Sequence, residues 1–164
     1  MTTAPPAIGS VAPDFVLTDQ NGRPVRLRDK LAERALLVVF YPFAFSGICT
    51  GELQEIRDQF GSFQNDLVDV VAISCDPMFA LRAWDDKEAY FFPLLSDFWP
   101  HGQVARSYGV FEEQGGFARR GTFLIAQDGT IAWCLVNEPG RRRDFTGFHA
   151  TLSRWRTAGT PSGS

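Results

Sequence analysis

The pattern of apolar and polar residues predicts strands and helices that alternate along this chain. The longest apolar run, residues 35–41, has seven members and is typical of a strand buried on both faces. A second segment, residues 67–74, is mostly apolar and predicts a second buried strand. Pro42 ends the first strand, because proline has no amide hydrogen to donate to a neighbouring strand.

A helix is predicted directly after this first strand. Cys49, Leu53, Ile56 and Phe60 are spaced four, three and four residues apart, so they share one helix face, which we expect to be buried. Cys49 then lies in the first turn, where unpaired amides and the positive end of the helix dipole favour a thiolate. Ser46 is a candidate N-cap whose hydroxyl points into the same space. A buried structural cysteine is the alternative interpretation.

The remaining elements follow in a regular order. The first buried strand is preceded by a hairpin over 15–27, with its turn at Asn21-Gly22, and by a short helix within 27–34. The second is followed by a helix that is capped by Asp76 and opened by Pro77, a short strand over 93–95, a short helix over 104–108 and a loop over 111–119. The chain then forms strands over 122–126 and 130–136, joined through Asp128-Gly129, and a last helix that buries Phe145, Phe148, Leu152 and Trp155. This order is the α/β arrangement of the thioredoxin fold, with a central mixed β-sheet flanked by helices and preceded by a β-hairpin. We expect one domain over residues 9–157, with flexible termini at 1–8 and 158–164.

Composition and charge exclude several function classes. The chain has 164 residues and a formal net charge of −3, which argues against nucleic acid or an anionic membrane as its main partner. Its three cysteines form no Cys-x-x-Cys pair, and neither of its two histidines has a ligand-like neighbour, so we expect no metal and no cofactor. The N-terminus has no signal-peptide pattern, and cytoplasm is the expected location.

Two charged positions are candidates to act on Cys49. In a thioredoxin-like sheet the strand that starts at Thr122 runs antiparallel beside the first buried strand, so Arg119 or Arg120 is expected to reach the thiolate and stabilise it. The alternative is that Arg119 and Arg120 both lie in a loop and face solvent. Glu52 lies on nearly the same helix face as Cys49 and either orients that arginine or faces solvent.

The spacing of Pro42-x-x-x-Ser46-x-x-Cys49 resembles the active-site motif of the peroxiredoxin family, in which threonine is commoner than serine at the middle position. Residues 120–123, Arg-Gly-Thr-Phe, resemble the active-site arginine segment of the same family and select Arg120 over Arg119. Residues 45–53, 92–102 and 108–111 resemble the alkyl hydroperoxide reductase E branch. The resemblance extends over about residues 9–156.

The resemblance implies a one-cysteine peroxidase, usually dimeric, that reduces hydrogen peroxide and organic hydroperoxides, with peroxynitrite as a further candidate. Cys49 attacks the peroxide and becomes a sulfenic acid. Ser46 and Arg120 hold and polarise the peroxide, Pro42 shields the site from water, and Glu52 orients Arg120. An apolar rim that favours organic hydroperoxides is expected from aromatic side chains, namely Phe43, Phe45 and Trp99.

The recycling of the sulfenic acid depends on the other two cysteines. Cys75 ends the second buried strand at the same sheet edge as Cys49, so a resolving role is open to it, although a packed cysteine is the commoner fate. Cys134 is expected in the core. Gln54 occupies the position where some peroxiredoxins carry a resolving cysteine. An external thiol is therefore expected, either mycothiol with a mycoredoxin or a thioredoxin-like protein.

Two other functions remain open at the level of sequence. A thiol-disulfide exchange enzyme of the same fold is one, but such enzymes carry a proline before the strand that starts at Thr122, and this chain has none there. A non-catalytic sensor that relays the oxidation of Cys49 to a partner protein is the other.

Overall fold

The structure is a computed structural model that describes residues 4–90, 92–138 and 141–158. The termini that we predict to be flexible therefore lie partly outside the described residues, at 1–3 and 159–164. Residues 4–8 contain no helix or strand, and the backbone of Ala4 lies against Gly109.

Nine strands and six helices make up the described part of the chain. The strands are β1 (Val16–Thr18), β2 (Pro24–Arg26), β3 (Ala35–Phe40), β4 (Val68–Ser74), β5 (Leu94–Ser96), β6 (Phe111–Glu112), β7 (Phe117–Ala118), β8 (Arg120–Ile125) and β9 (Ile131–Asn137). The helices are α1 (Leu27–Leu31), α2 (Gly47–Asp58), α3 (Phe60–Phe63), α4 (Met78–Glu88), α5 (Gln103–Ser107) and α6 (Thr146–Ala158). No helix within these described ranges is long and apolar enough to cross a membrane.

Seven strands form one mixed sheet in the order β2-β1-β5-β4-β3-β8-β9. Strands β3, β4 and β5 are parallel, and β8 runs antiparallel to β3 with Phe123 opposite Val38. Strands β1 and β2 form the predicted antiparallel hairpin. The thioredoxin-like α/β fold predicted from the order of elements is confirmed.

Both faces of this sheet are covered, which explains why every residue of β3 and β4 is buried and why β3 is continuously apolar. Successive residues of β3 point to opposite faces. Leu37 and Val39 belong to a core built with the inner sides of α2, α4 and α6, which we call the first face. Leu36 and Val38 belong to a core built with α1 and α5, which we call the second face.

The predicted inner face of α2 is confirmed for its first three members but is wrong for Phe60. The first three are buried, whereas Phe60 is 41% exposed. Helix α2 ends before it, because Gln59 has φ −104° and ψ 40° and turns the chain into α3. Phe63 enters the first-face core instead and stacks on Phe148.

The segment over residues 111–119 was expected to be a loop, and this expectation is wrong. Strands β6 and β7 pair antiparallel, with Glu112 opposite Phe117, and form a separate two-stranded hairpin. Gly116, at φ +72°, supplies the left-handed residue of its turn. The hairpin brings Glu112 and Phe117 to the carboxyl end of β3, where the candidate site lies.

Candidate active site

Distant parts of the chain meet at the carboxyl end of β3. Helix α2 begins there, with Cys49 in its first turn. Strand β8 begins there at Arg120, because it runs antiparallel to β3. Strand β9 ends there at Asn137, which lies directly opposite Arg120 in the register. Opposite residues of an antiparallel pair point to the same face, so the Arg120 and Asn137 side chains are neighbours.

These elements enclose a cavity of about 440 Å³. Its wall contains the predicted catalytic group, Pro42, Ser46, Cys49 and Arg120, together with Phe43. The other lining residues are Gly47, Ile48, Glu112, Phe117, Arg119 and Asn137. The structure therefore brings together the three residues of the spaced motif and Arg120, although Cys49 is itself only 2% exposed.

Ser46 occupies the N-cap position of α2, as predicted, with φ −71° and ψ 149°. Its hydroxyl makes no capping hydrogen bond to the helix, so the expected capping role is wrong. Its carbonyl oxygen instead accepts the hydrogen bond from the amide of Thr50, at 2.9 Å. The hydroxyl is consequently available to a molecule in the cavity.

Glu52 is buried rather than solvent-facing. One of its carboxylate oxygens accepts hydrogen bonds from the guanidinium of Arg120 and, at 2.7 Å, from the backbone amide of Arg143. The other oxygen accepts from Nε of Arg143 at 3.2 Å. Two guanidinium groups thus share one carboxylate, which leaves one net positive charge beside the cavity. The interpretation of Glu52 as a group that positions Arg120 agrees with this geometry.

Arg143 is the residue of this cluster that the sequence did not reveal. Its side chain is 1% exposed and donates hydrogen bonds to the carbonyl of Gly121, to the hydroxyl of Thr122 and to the carbonyl of Phe40. Burial lowers the pKa of Arg143, and the charge of Glu52 opposes this shift. Arg143 therefore ties α2, β3 and β8 together behind Cys49.

Arg120 differs from Arg143 in one respect. Its Nε atom is buried, and among the residues that the structure describes it has no hydrogen-bond partner. Asn137 also has a buried Oδ1 without a partner in the described ranges, while its amide nitrogen donates to the carbonyl of Arg142 at 3.3 Å. Two residues that line the cavity therefore carry a buried donor and a buried acceptor that no described residue satisfies.

The loop between β3 and α2 is held by Asp76, which was predicted to cap α4. Pro77 occupies that cap position instead, so the prediction is one residue early. The carboxylate of Asp76 accepts hydrogen bonds from the amide of Ala44 and the hydroxyl of Ser74, both at 2.8 Å. Phe45, at φ 69°, is one of two non-glycine residues with positive φ in the described part of the chain. A loop with this conformation needs such a tether.

Two of the three predicted rim residues lie outside the cavity. Phe45 points away and packs on Trp84, with ring centroids 6.1 Å apart. Trp99 is 82% exposed and does not line the cavity. Phe43 does line it, and its ring centroid is 5.1 Å from that of Phe117. The sequence missed Phe117 because it lies on the hairpin that was expected to be a loop.

The other cysteines lie on the second face. Cys75 belongs to the second-face core and Cys134 packs against it, whereas Cys49 belongs to the first-face core. Burial, with the charges of Asp97 and Asp76, raises the pKa of Cys75 to about 12. Burial also raises the pKa of Cys134, which is half-buried rather than fully in the core. Cys49 and Cys75 therefore pack in cores on opposite faces of the sheet. A disulfide needs its two Cα atoms within about 7 Å of each other, so a Cys49–Cys75 disulfide would require one of the two residues to move around the edge of the sheet.

Comparison with known proteins gives consistent results. A model of the AhpC/TSA family matches residues 8–134. Alkyl hydroperoxide reductase E of Mycobacterium tuberculosis is 47% identical over 137 residues, which cover 84% of this chain and 90% of that protein. The crystal structure of peroxidoxin BcpB from the same species superposes with a TM-score of 0.79 at 31% identity, over 92% of this chain and 96% of the other. Enterococcus faecalis AhpC gives a TM-score of 0.80 at 27% identity, over 93% of both chains.

Proposed function

Because this chain belongs to the AhpC/TSA family of peroxiredoxins and is a thiol peroxidase, we propose that Cys49 is the cysteine that reacts with peroxide. One observation carries this assignment. Of the three cysteines, all of them free, only Cys49 lines a cavity that also holds a buried arginine with an unused donor.

The reaction follows from the groups around that cavity. The Cys49 thiolate attacks the terminal oxygen of the hydroperoxide, an S–O bond forms, and the O–O bond breaks. The cysteine is oxidised by two electrons to a sulfenic acid, while the departing alkoxide takes a proton from water and leaves as an alcohol. Negative charge develops on the departing oxygen, and the unused Nε–H of Arg120 is suited to stabilise it.

The remaining lining residues have supporting roles in this proposal. The hydroxyl of Ser46 holds the peroxide, and Pro42 and Phe43 exclude water from it. Glu52 positions Arg120 through the ion pair and is itself fixed by Arg143. Hydrogen peroxide and organic hydroperoxides are the proposed substrates, and peroxynitrite is a further candidate.

We propose that an external thiol recycles the sulfenic acid. The thiol condenses with it to a mixed disulfide and water, and a second thiol releases Cys49. The placement of Cys75 and Cys134 on the second face favours this route over an internal disulfide. Mycothiol with a mycoredoxin, or a thioredoxin-like protein, is the proposed reductant, and the similarity to a mycobacterial relative supports the first choice.

A homodimer in the cytoplasm is the proposed working form. Phe98 and Trp99 are 48% and 82% exposed, and a second copy would cover this apolar surface. Free cysteines persist in a reducing compartment, which fits the cytoplasm. Sedimentation of the wild type and of Trp99→Ser tests the dimer, since loss of apolar contact area is expected to weaken association.

The assignment of Cys49 is tested by peroxide consumption in the presence of excess thiol. The wild type and a Cys75→Ala, Cys134→Ala double variant are expected to turn over, whereas Cys49→Ser is expected to lose at least about 10⁴-fold in rate, because a hydroxyl is a far weaker nucleophile. Retained activity in Cys49→Ser would contradict the assignment. Oxidation of the wild type without turnover by any thiol would mark a sensor, and reduction of protein disulfides in place of peroxide would mark an exchange enzyme.

A further inference from the structure

His101 joins two segments that are separate in sequence. It lies in the loop between β5 and α5, and its Nδ1 atom is 3.0 Å from the carbonyl oxygen of Phe98 in the same loop. Its Nε2 atom is 2.7 Å from the carbonyl oxygen of Gly116, in the turn of the β6–β7 hairpin. The side chain therefore bridges this loop and the hairpin that brings Glu112 and Phe117 into the wall of the cavity.

Only one charge state of His101 satisfies both contacts. A carbonyl oxygen accepts hydrogen bonds and cannot donate them, so each ring nitrogen has to donate. An imidazolium has two N–H groups, whereas a neutral imidazole has one and can donate to only one of the two carbonyls. Histidine side chains change their charge between about pH 5 and about pH 8. The bridge is therefore complete with the charged ring and loses a hydrogen bond when the ring becomes neutral.

The loop end of this bridge is also held by contacts that do not involve His101. The carboxylate of Asp97 accepts hydrogen bonds from the amides of Val104 and Ala105, at 3.1 and 2.8 Å. The carbonyl of Asp97 accepts another from the amide of Gly102, at 2.9 Å. The loop is thus fixed to the start of α5, so the loss of a hydrogen bond at His101 is expected to release the hairpin rather than the loop.

The hairpin end is held less firmly. Its base is buried through Phe111 and Ala118, but its tip is exposed. Besides His101, an ion pair between Arg106 of α5 and Glu113, whose closest atoms are 2.9 Å apart, joins the tip to the rest of the molecule. This pair is itself exposed, and such pairs contribute little to stability. The hydrogen bond from His101 is therefore a substantial part of what holds the tip.

We propose that His101, as the imidazolium, positions the β6–β7 hairpin against the cavity, and that deprotonation of His101 loosens this wall. The path to the cavity is short, because Phe117 follows Gly116 directly and its ring centroid is 5.1 Å from that of Phe43, which also lines the cavity. His101 acts through the hairpin and does not touch the oxygen atoms that react. Its effect on catalysis rests on the proposed function, whereas the hairpin contact does not.

The charged groups of the elements around His101 have to be separated from it. Burial raises the pKa of Asp97 to about 6, and the charge of His101 opposes this shift, so Asp97 titrates in the same range. Glu113 and Arg106 are paired, and the pairing lowers the pKa of Glu113 and raises that of Arg106. Glu112 is engaged within the turn of the hairpin. Asp97 is therefore the group that the experiment has to distinguish from His101.

Hydrogen exchange of the native protein, followed by NMR, tests the hairpin contact without peroxide. The amide of Gly116, which donates to the carbonyl of Glu112 at 2.9 Å, reports on the tip. The amide of Ala126, which donates to the carbonyl of Thr130 at 2.9 Å at the far end of β8, is the reference. Protection is measured against an unstructured peptide at the same pH, which removes the ordinary base catalysis of exchange. In the wild type, the protection of Gly116 relative to Ala126 is expected to fall about fivefold between about pH 5.5 and about pH 8, the scale of one hydrogen bond.

Three variants assign this pH dependence. His101→Gln, whose amide resembles the neutral ring, is expected to show the low protection throughout the range. Glu113→Gln is the matched control, because it breaks the other contact of the tip and is expected to lower protection by the same factor at every pH. Asp97→Asn is expected to keep the pH dependence. A wild type without pH dependence, its persistence in His101→Gln or its disappearance in Asp97→Asn would overturn the inference.

The effect on the reaction is measured as a ratio of rates at matched pH. The rate at which hydrogen peroxide oxidises Cys49 in His101→Gln is divided by that of the wild type, so that the titration of Cys49 cancels. This ratio is expected to lie below about one half at about pH 5.5 and to approach one at about pH 8. A ratio that does not vary with pH would overturn the positioning role. Failure of the wild type to be oxidised at Cys49 would instead overturn the proposed function and would leave the hydrogen-exchange result standing.

Discussion

Each face of the sheet buries a cysteine and a carboxylate at the carboxyl ends of the parallel strands, but in the described part of the chain only the first face has buried arginines beside them, whereas Arg106 near the second-face pair is exposed. On the first face, Cys49 lines a cavity and Glu52 is held by two guanidinium groups. On the second face, Cys75 lies near Asp97, which is held by the amides of Val104 and Ala105 at 3.1 and 2.8 Å.

The difference shows that burial alone does not make a reactive thiol. Burial raises the pKa of Asp97 to about 6, and burial and this carboxylate raise the pKa of Cys75 to about 12. A thiol with such a pKa is protonated at neutral pH and is a poor nucleophile. The first face differs in that two guanidinium groups, those of Arg120 and Arg143, lie within the same buried volume.

The largest expected effect on stability is at Glu52. Glu52→Gln removes the shared anion and leaves two buried arginines unpaired, which is expected to cost about 3–5 kcal/mol of unfolding free energy. Urea denaturation of the variant and the wild type measures this loss. Glu55→Gln, one turn along the same helix, is the matched control and is expected to change stability by less than about 0.5 kcal/mol. Equal losses in both variants would contradict the account of the first face.

The next largest expected effect is on the rate of peroxide reduction, at Arg120. Arg120→Lys keeps the positive charge but loses the planar fork that pairs with Glu52, together with the buried Nε–H that has no partner among the described residues. Peroxide reduction is expected to slow about 10²-fold, the usual cost of one donor to a developing oxyanion. Stopped-flow rates with hydrogen peroxide measure this. If Arg119→Lys slows that reaction more than Arg120→Lys does, the wrong arginine has been assigned.

A smaller effect concerns the pH dependence of stability. Because the pKa of Asp97 is raised in the folded protein, its favourable contribution is full below about pH 4 and is lost as the pH rises through 6. Asp97→Asn cannot ionise, so its stability relative to the wild type is expected to rise by about 2 kcal/mol between pH 4 and 7. Denaturation curves across this range measure the difference.

Asp144→Asn serves as the control for this comparison, because the pKa of Asp144 is shifted in the opposite direction from that of Asp97. Hydrogen bonds from Thr146 lower the pKa of Asp144, so that variant is expected to lose stability relative to the wild type as the pH rises to about 4 and to change little between pH 4 and 7. Parallel behaviour of the two variants would show that the pH effect does not come from the second face.

The smallest expected effect is at Cys75. Cys75→Ala removes a buried thiol from the second face and is expected to leave the rate of peroxide reduction and the turnover with external thiol within about twofold of the wild type. Steady-state turnover measures both. A loss of turnover with an intact first oxidation step would give Cys75 the resolving role that its position on the second face argues against.

The sequence predicted the parts of the site that are local. The strand follows from an unbroken apolar run, its end from Pro42, and the first three inner residues of α2 from a period of 3.6 residues; together these fix the position of Cys49. Phe60 was assigned wrongly because the helical period continues past the point where Gln59 turns the backbone. Such a turn has no signal in apolar spacing alone.

The parts that were missed depend on contacts between distant residues. Arg143 lies 91 residues from Glu52 and is the last of three consecutive arginines, a run that is usually solvated. Phe117 and Glu112 reach the cavity only through the β6–β7 hairpin, which is two residues long on each side and has too little alternation to detect. Trp99 was included in the predicted rim because it is aromatic, but it is exposed, since an aromatic side chain does not by itself specify burial.

The most direct test of the account is to locate the first oxygen atom that the protein takes up. The reduced wild type is treated with one equivalent of hydrogen peroxide, trapped with a reagent specific for sulfenic acid, digested and analysed by mass spectrometry. The account predicts the label on the peptide that contains Cys49, unmodified Cys75 and Cys134, and no disulfide between them. Label on Cys75 or Cys134, or a Cys49–Cys75 disulfide as the first product, would contradict it.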